Sequence, residues 1–471
     1  MLAPLALLDQ LQARLDETIG LLPTATAGGA DGFASLILEL PRAIVLPPDL
    51  GCPGFGFAHG ERGELRAGCG VAAQWTAAGP QRLPALRAHA QALTRRWRQV
   101  DPDETGFAGF ALLGFAASPT PGTTPAMSER ELPNALLWLP ELGLRTHQGQ
   151  SALIFTTRLP APLPLLRERW RGWLMRLLTA LAAPLPEPLT PSPLSPLGGR
   201  PDLADWQTLV EDALDTIHRG DLDKVVLCRR VGLKGRRPFD PQRLLAALLY
   251  LFPACQVINI RHGSTHFVAA TPERLLRVAG CQVEVDAIAG TAARAAGAAQ
   301  DAALTAGMLA SDKEQREHAM VVEAVREVLD GCCDQIEAPA VPRVLQLHNA
   351  QHLWSPMSGQ LREDTDLFEL AQRLHPTPAT NGKPQGAARA WLDRMEPLNR
   401  GWYTGVAGIL EPDPDGRLNG DLWVLLRCAE LSGDEARLYA GAGIVRGSNP
   451  LSEWHETGHK LAAVATALQF A

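Results

Sequence analysis

The stretch that most restricts this chain lies near its C-terminal end, Leu438-Tyr-Ala-Gly-Ala-Gly-Ile-Val-Arg-Gly-Ser-Asn-Pro-Leu-Ser-Glu-Trp-His-Glu-Thr-Gly-His-Lys460. A glycine-rich turn from Gly441 to Gly447 leads into Ser448-Asn-Pro450, a helix start with a capping residue and an early proline. On the predicted helix Glu453, Glu456 and Lys460 fall at i, i+3 and i+7, which sets two carboxylates and one ammonium on a single face. Backbone N–H groups of a glycine turn, at the positive end of a helix and beside carboxylates, can hold an anion and a cation together. The plain alternative is a solvated helix face after a loop.

The same stretch contains His455-Glu456-Thr-Gly-His459, an H-E-x-x-H pattern of the kind that binds zinc in metallopeptidases. Such a site needs a third protein ligand, normally downstream. Beyond Lys460 there is no His, Asp or Glu, and Ala465 stands where the extended motif has its third histidine. The zinc reading is therefore the weaker one.

A chain of 471 residues can bury a large core. A formal charge of -7, with 20% charged residues, gives no electrostatic footprint for nucleic acid. The eight cysteines, Cys52, Cys69, Cys228, Cys255, Cys281, Cys332, Cys333 and Cys428, form no C-x-x-C pair and read as free thiols in a reducing cytosol. The apolar N-terminus lacks a basic n-region, and the longest apolar runs, such as Leu244 to Ala254, are too short to span a bilayer. The expectation is a soluble, cytoplasmic protein.

Over residues 1 to about 150, Gly54-Phe-Gly-Phe57 and Gly106-Phe-Ala-Gly-Phe110 read as strands, and Leu83 to Val100 reads as a helix. A second helix is expected from Leu165 to Ala183, followed by a run containing Pro184, Pro186, Pro188, Pro191, Pro193, Pro196 and Pro201. That density excludes helix and central strand and marks a surface segment. Past it, Asp205 to His218 is an amphipathic helix, and Lys224-Val-Val-Leu-Cys-Arg229 is a strand by its β-branched content. Lys224 shares its alternating set with Val226 and Cys228, so it faces inward. It is either a base whose charged form is disfavoured by burial, or a strand-edge lysine that discourages aggregation.

Phe267 to Leu276 is strand, proline turn, strand, with Glu273 in the turn; Val283 to Ile288 is a strand ending at Gly290-Thr291, either an oxyanion site or a simple turn. Ser311 caps a long helix in which Glu314 completes a capping box. Glu317 shares the apolar stripe of Met320, Val321, Ala324 and Val328 and needs a cation or a salt bridge. Asp421 to Glu430 reads as one strand carrying Arg427, a structural partner for a carboxylate or an anchor for an anionic substrate. His348 and His352, i and i+4 on a possible helix, read as packing or solvated groups.

Taken in order, Lys-Val-Val-Leu-x-Arg, x-Pro-Glu-Arg-Leu, Ala-Gly-Thr, Glu-His-x-Met-Val-Val, Leu-His-Pro-Thr-Pro-Ala, Arg-Gly-x-Tyr-x-Gly and the glycine-rich C-terminal stretch form a series. The series closely resembles the chorismate-utilising enzymes and, within them, the isochorismate synthases. The resemblance is strong from about Asp205 to Leu461 and thin over the first 200 residues. It implies an α+β fold with a large antiparallel-sheet core flanked by helices. Residues 1–200 would be a variable part packed into that fold, ending in the proline-rich loop 184–201, and residues 202–471 the catalytic region.

It also implies roles. Lys224 would be the base that activates water for attack at C2 of chorismate, and Glu273 the acid that protonates the departing C4 hydroxyl. Glu317 and Glu456 would hold Mg²⁺, with Glu453 supporting through metal-bound water. Gly290, Thr291, Ala379, Tyr403, Arg427, Gly443 and Lys460 would hold the substrate, with His375 close by. Family members that add ammonia carry glutamine where Lys224 stands, and salicylate synthases differ around His375-Pro-Thr-Pro-Ala379. The alternatives carried forward are a salicylate synthase, an ammonia-using synthase, a catalytically silent homologue and the zinc peptidase. The resemblance further implies a monomer or weak dimer, and isochorismate destined for menaquinone, phylloquinone or catecholate siderophores. One departure is clear: Ala292, Ala293, Arg294 and Ala295 replace the family's arginine-rich run, so that loop is expected to pack differently.

Overall fold

Alternating apolar residues and β-branched runs assemble into two large sheets, seen in a computed structural model that describes residues 4–23, 31–120, 132–182, 190–347 and 350–471. Pro184, Pro186, Pro188 and His348 lie outside the described residues. Among those described, one sheet has thirteen strands and the other ten. Neighbouring strands are antiparallel, except that Gly32–Leu40 runs parallel to Trp97–Val100. The N-terminal part enters both sheets. Gly54–His59 pairs with Gln256–His262 in the larger sheet, and Ala111–Phe115 pairs with Val406–Pro412 in the smaller.

The sheets face each other across a core of Phe55, Phe110, Trp138, Ile258, Phe267, Trp402 and Trp423. Phe55 and Trp138 meet edge to face, with ring centroids 5.3 Å apart. Helices cover the outer faces. Asp312–Cys332 packs Val321, Val325 and Leu329 against the smaller sheet, and Pro450–Leu468 packs Leu461, Val464 and Leu468 against the larger. None of the helices among the described residues is long and apolar enough to cross a membrane.

Several elements differ from their sequence reading. The helix expected to reach Val100 ends at Arg95, and Trp97–Val100 is a strand, because the buried Trp97 indole donates to Ser35 Oγ at 2.8 Å. Gly106 to Phe110 is irregular, and the strand begins at Ala111. Part of the proline-rich run, Ser195–Arg200, is an edge strand on Lys224–Lys234, a position where a missing N–H is tolerated. His352 lies in the strand Ala350–Leu361 and not in a helix.

Two further differences place the site. Gly441 and Gly443 are not in a turn. They belong to the strand Glu435–Val445, opposite Cys228 and Val226. And Asp421 to Glu430 is two strands, Leu418–Val424 in the smaller sheet and Cys428–Ser432 in the larger. The chain changes sheets at Leu425 to Arg427, where Arg427 takes the left-handed region at φ 48°. Beside it, Thr265–Thr271 and Arg274–Ala279 make the same change through Pro272 and Glu273. The two crossings are tied: Val424 N donates to Glu273 O at 3.0 Å, Thr271 Oγ1 to Val424 O at 2.6 Å, and Ala270 N to Arg427 O at 3.2 Å.

Candidate active site

At these crossings the sheets part around a cavity of about 100 Å³. Of the residues singled out in the sequence, Glu273, Gly290, Thr291, Glu317, Ala379, Tyr403, Arg427, Gly443, Glu456 and Lys460 line it. Lys224 reaches the same place from the strand Lys224–Lys234: it is fully buried, and its Nζ donates to Glu317 Oε1 at 2.7 Å. A Cβ on Gly443 would lie 2.6 Å from Glu317 Oε1 and 2.8 Å from Lys224 Cε, so the strand needs glycine there to let that pair lie across it. Neither glycine of the strand serves as a turn donor.

Glu273 stands apart from this pair on the crossing. Burial pushes its carboxyl up to about 8; Lys224 pulls it down, Asp286 adds to the rise, and Lys460 opposes it. A carboxylic acid buried this way keeps its proton at neutral pH. Glu317 is the reverse. Burial alone would raise it, but Lys224, with Lys313 and Lys460, holds it below the ordinary carboxylate range and ionised.

The helix Pro450–Leu468 starts where expected, with Asn449 Oδ1 accepting from the N–H groups of Leu451 and Ser452. It delivers Glu456 and Lys460 together: Lys460 Nζ donates to Glu456 Oε1 at 2.7 Å and to Gly441 O at 3.0 Å. Burial would lower Lys460, yet Glu456 and Glu317 outweigh it and keep the ammonium charged. Glu453 is buried behind the cavity wall and bound by Lys313 at 2.8 Å. The Lys313 ammonium, despite its own burial, is pushed up to about 12 by that contact.

Arg427 is buried, and its Nη2 donates to His352 Nε2 at 3.0 Å. Because arginine can only donate, the His352 proton sits on Nδ1, which faces Gly290 O at 3.3 Å and Thr291 Oγ1 at 3.1 Å. Burial, then Arg427 and Lys460, depress His352 to about 3, so it is neutral. The guanidinium also lies against the Cys255 thiol, and its Nη1 has no hydrogen-bond partner. A buried guanidinium N–H without a partner, in a cavity wall, is a standing demand for an anion.

Gly290 and Thr291 sit on a register shift in the strand Gln282–Ala293, with Gly290 at φ 78°. The Thr291 N–H, expected to face an oxyanion, instead donates to Glu314 Oε2 at 2.9 Å. Glu314 therefore does not complete the capping box; Ser311 Oγ alone accepts from Glu314 N, at 3.4 Å. His375 does not line the cavity. Its Nε2 donates to Thr404 O at 2.8 Å and its ring meets Phe115 edge-on, so it supports the wall from behind. The departing loop also packs on its own terms, with Arg294 clamped on Asp301 at 2.9 Å and donating to Leu347 O at 2.8 Å.

Sequence reasoning missed four contributors. Lys313 and Glu314 belong to the charged cluster, and His352 orients Arg427. Arg400, paired to Glu396 at 2.6 Å, donates to Val226 O and Thr380 O and so braces the strand that carries Lys224. The spacing Lys313-Glu314-x-x-Glu317, which puts all three near one helix start, was the available signal.

A divalent cation suits the donor set. Glu314, Glu317, Glu453 and Glu456 face three ammoniums, Lys224, Lys313 and Lys460. Burial raises Glu314, and Glu317 raises it further; burial likewise raises Glu453, Lys313 opposes, and Glu456 adds to the rise. Extra negative charge on hard oxygen donors is what magnesium relieves. Among the described residues no three His, Cys, Asp or Glu side chains converge as a ready-made cage, so any ion here takes few protein ligands. His455 and His459 stand exposed on the helix face next to Glu456 and gain no third ligand among the described residues.

Comparison with known proteins gives a consistent picture. A family profile described as chorismate binding enzyme matches residues 55–469. The chain is 37% identical over 266 residues to the salicylate biosynthesis isochorismate synthase of Pseudomonas aeruginosa, covering 56% of this chain and 54% of that protein. It is 38% identical over 270 residues to the isochorismate synthase MenF of Escherichia coli, covering 57% and 61%. These matches span little more than half the length of those relatives. The solved structure of the menaquinone-specific isochorismate synthase MenF from Escherichia coli superimposes with a TM-score of 0.77 at 28% identity, covering 99% of this chain and 100% of that one.

Proposed function

Since the chain belongs to the chorismate binding enzyme family, we propose that it is an isochorismate synthase, converting chorismate to isochorismate. One observation carries the reading: Glu273 is held as a neutral acid in a cavity that Lys224 reaches through Glu317 and that is walled by a buried arginine whose Nη1 has no hydrogen-bond partner. In the proposed reaction the Lys224 ammonium first passes a proton to solvent, and its amine then accepts one from the attacking water as that water's oxygen bonds to C2. The ring double bonds shift, and Glu273 gives its proton to the C4 hydroxyl, which leaves as water. Atoms balance, with one water in and one out.

Arg427 Nη1 and Lys460 would bind the carboxylates of the substrate, with Tyr403, Ala379 and the backbone near Gly290, Thr291 and Gly443 shaping the cavity. His375 acts through Thr404 and makes no substrate contact. Glu317 and Glu456 would hold Mg²⁺, with Glu453 behind them, and an ion held there would supply positive charge for a substrate carboxylate. The relatives named for isochorismate synthesis support the same substrate class.

The test is chromatographic: purified protein with chorismate and Mg²⁺, with and without ammonium, and products separated against standards. Isochorismate approaching a constant ratio with chorismate, abolished by EDTA, is the expected result. Salicylate with pyruvate, or an aminated product only with ammonium, would move the enzyme to a sister activity. No consumption of chorismate would overturn the proposal.

A further inference from the structure

The sequence singles out His455 and His459, and the catalytic arrangement uses neither. On the helix Pro450–Leu468 they are four positions apart, so their rings share one face a single turn apart. Both are exposed, while Glu456, between them in sequence, turns inward to Lys460. Their face borders a broad cleft of about 770 Å³. That cleft shares Thr291, His352, Arg427, Glu456 and Lys460 with the inner cavity, so the two histidines stand on a cleft that forms a mouth of that cavity.

We propose that His455 and His459 form a two-point chelate for a borderline divalent metal ion such as zinc, and that an ion held there closes the mouth of the cavity. Imidazole nitrogens suit zinc, nickel and copper, whereas magnesium prefers hard oxygen donors. One helix therefore presents two kinds of metal ligand on adjoining faces, carboxylates turned inward and imidazoles exposed. A regular helix fixes the imidazole spacing in advance, so little ordering is needed on binding. Lacking a third protein ligand among the described residues, the ion keeps open positions for water or for a carboxylate arriving through the mouth. It is not a hydrolytic centre, because the only acidic group in the motif, Glu456, is bound to Lys460 at 2.7 Å.

The inference rests on the proposed function only in naming which passage is closed. The test is calorimetric titration of the full chain, saturated with Mg²⁺, with Zn²⁺, followed by turnover at rising Zn²⁺. The unmodified chain should bind one zinc ion, and His455→Ala with His459→Ala should weaken that binding about 100-fold or more, since a ligand is worth at least as much as the groups that support it. Alanine suits an exposed helix, so the double variant should melt like the parent and turn over chorismate at the parent rate without zinc. Zinc should inhibit the parent and leave the double variant active. Equal zinc binding in both proteins, or zinc binding to the histidines without inhibition, overturns the inference. If neither protein consumes chorismate yet zinc binding is lost in the double variant, the proposed function fails and the chelate stands.

Discussion

Glu273 is buried and Glu317 largely so beside one cavity, yet they hold opposite protonation states. Glu273 sits on a sheet crossing where no ammonium touches it, and burial keeps its proton on. Glu317 sits on a helix within 2.7 Å of Lys224 and is ionised. The lesson is that a residue's role follows from the element that delivers it. The crossing isolates a carboxyl among apolar walls, while the two helix faces bring carboxylates and ammoniums together in pairs. The first region can give a proton and the second can hold cations and anions.

The largest effects should separate these regions by what is lost. Glu273→Gln and Lys224→Ala should each cut kcat by about 10²–10⁴-fold, the usual span for a missing acid or base. Their stabilities should differ. Glutamine replaces an acid that is already neutral, so the melting temperature near pH 7 should hold or rise. Lys224→Ala leaves Glu317 buried without its partner, and breaking such a pair costs about 3–5 kcal/mol. Equal melting temperatures in the two variants would erase the distinction drawn here between an isolated and a paired carboxylate.

Next comes the anion demand. Arg427→Ala should raise KM for chorismate by roughly 10–100-fold, from the loss of a charge-assisted hydrogen bond worth about 1.5–3 kcal/mol, with a smaller change in kcat. An unchanged KM would mean that the Nη1 group faces water and not a carboxylate. Gly443→Ala probes the paired region without touching a charge. Its new Cβ would crowd Glu317 Oε1 at 2.6 Å and Lys224 Cε at 2.8 Å, and overpacking of this kind costs about 1–3 kcal/mol. The variant should fold, bind Mg²⁺ more weakly by calorimetry and turn over slowly.

How much of this was legible in the sequence depends on the kind of signal. Strand and helix positions around Lys224, Glu273, Glu317 and Lys460 follow from short-range patterns, and the order of the motifs carries the family. What the sequence hides is where a chain changes sheets. Leu422 to Ala429 is continuously apolar except for Arg427, so nothing local marks the break between two strands. The glycines at 441 and 443 look like turn residues because glycine is common in turns, but here they are strand residues chosen for a close approach from the facing side chains. Likewise Glu314 fits a capping box by spacing, and a tertiary donor, the Thr291 N–H, claims it. His352 gave no signal because its partners, Arg427 and Gly290, are distant in sequence.

The smallest effect is also the sharpest check on Glu273. Its carboxyl rises from an ordinary value of 4.5 to about 8 on folding. Between those values the unfolded chain has lost the proton that the folded chain keeps, so the wild-type protein loses stability as pH rises from about 4.5 to about 8 and no further above it. Glu273→Gln removes that loss. The melting temperature of the variant, relative to the parent, should therefore climb steadily across this window and level off above it, while the parent's rate falls as pH passes 8 and the acid ionises. A difference that stays flat with pH would mean that Glu273 is ionised in the folded protein, and it would then have no proton to give the departing hydroxyl.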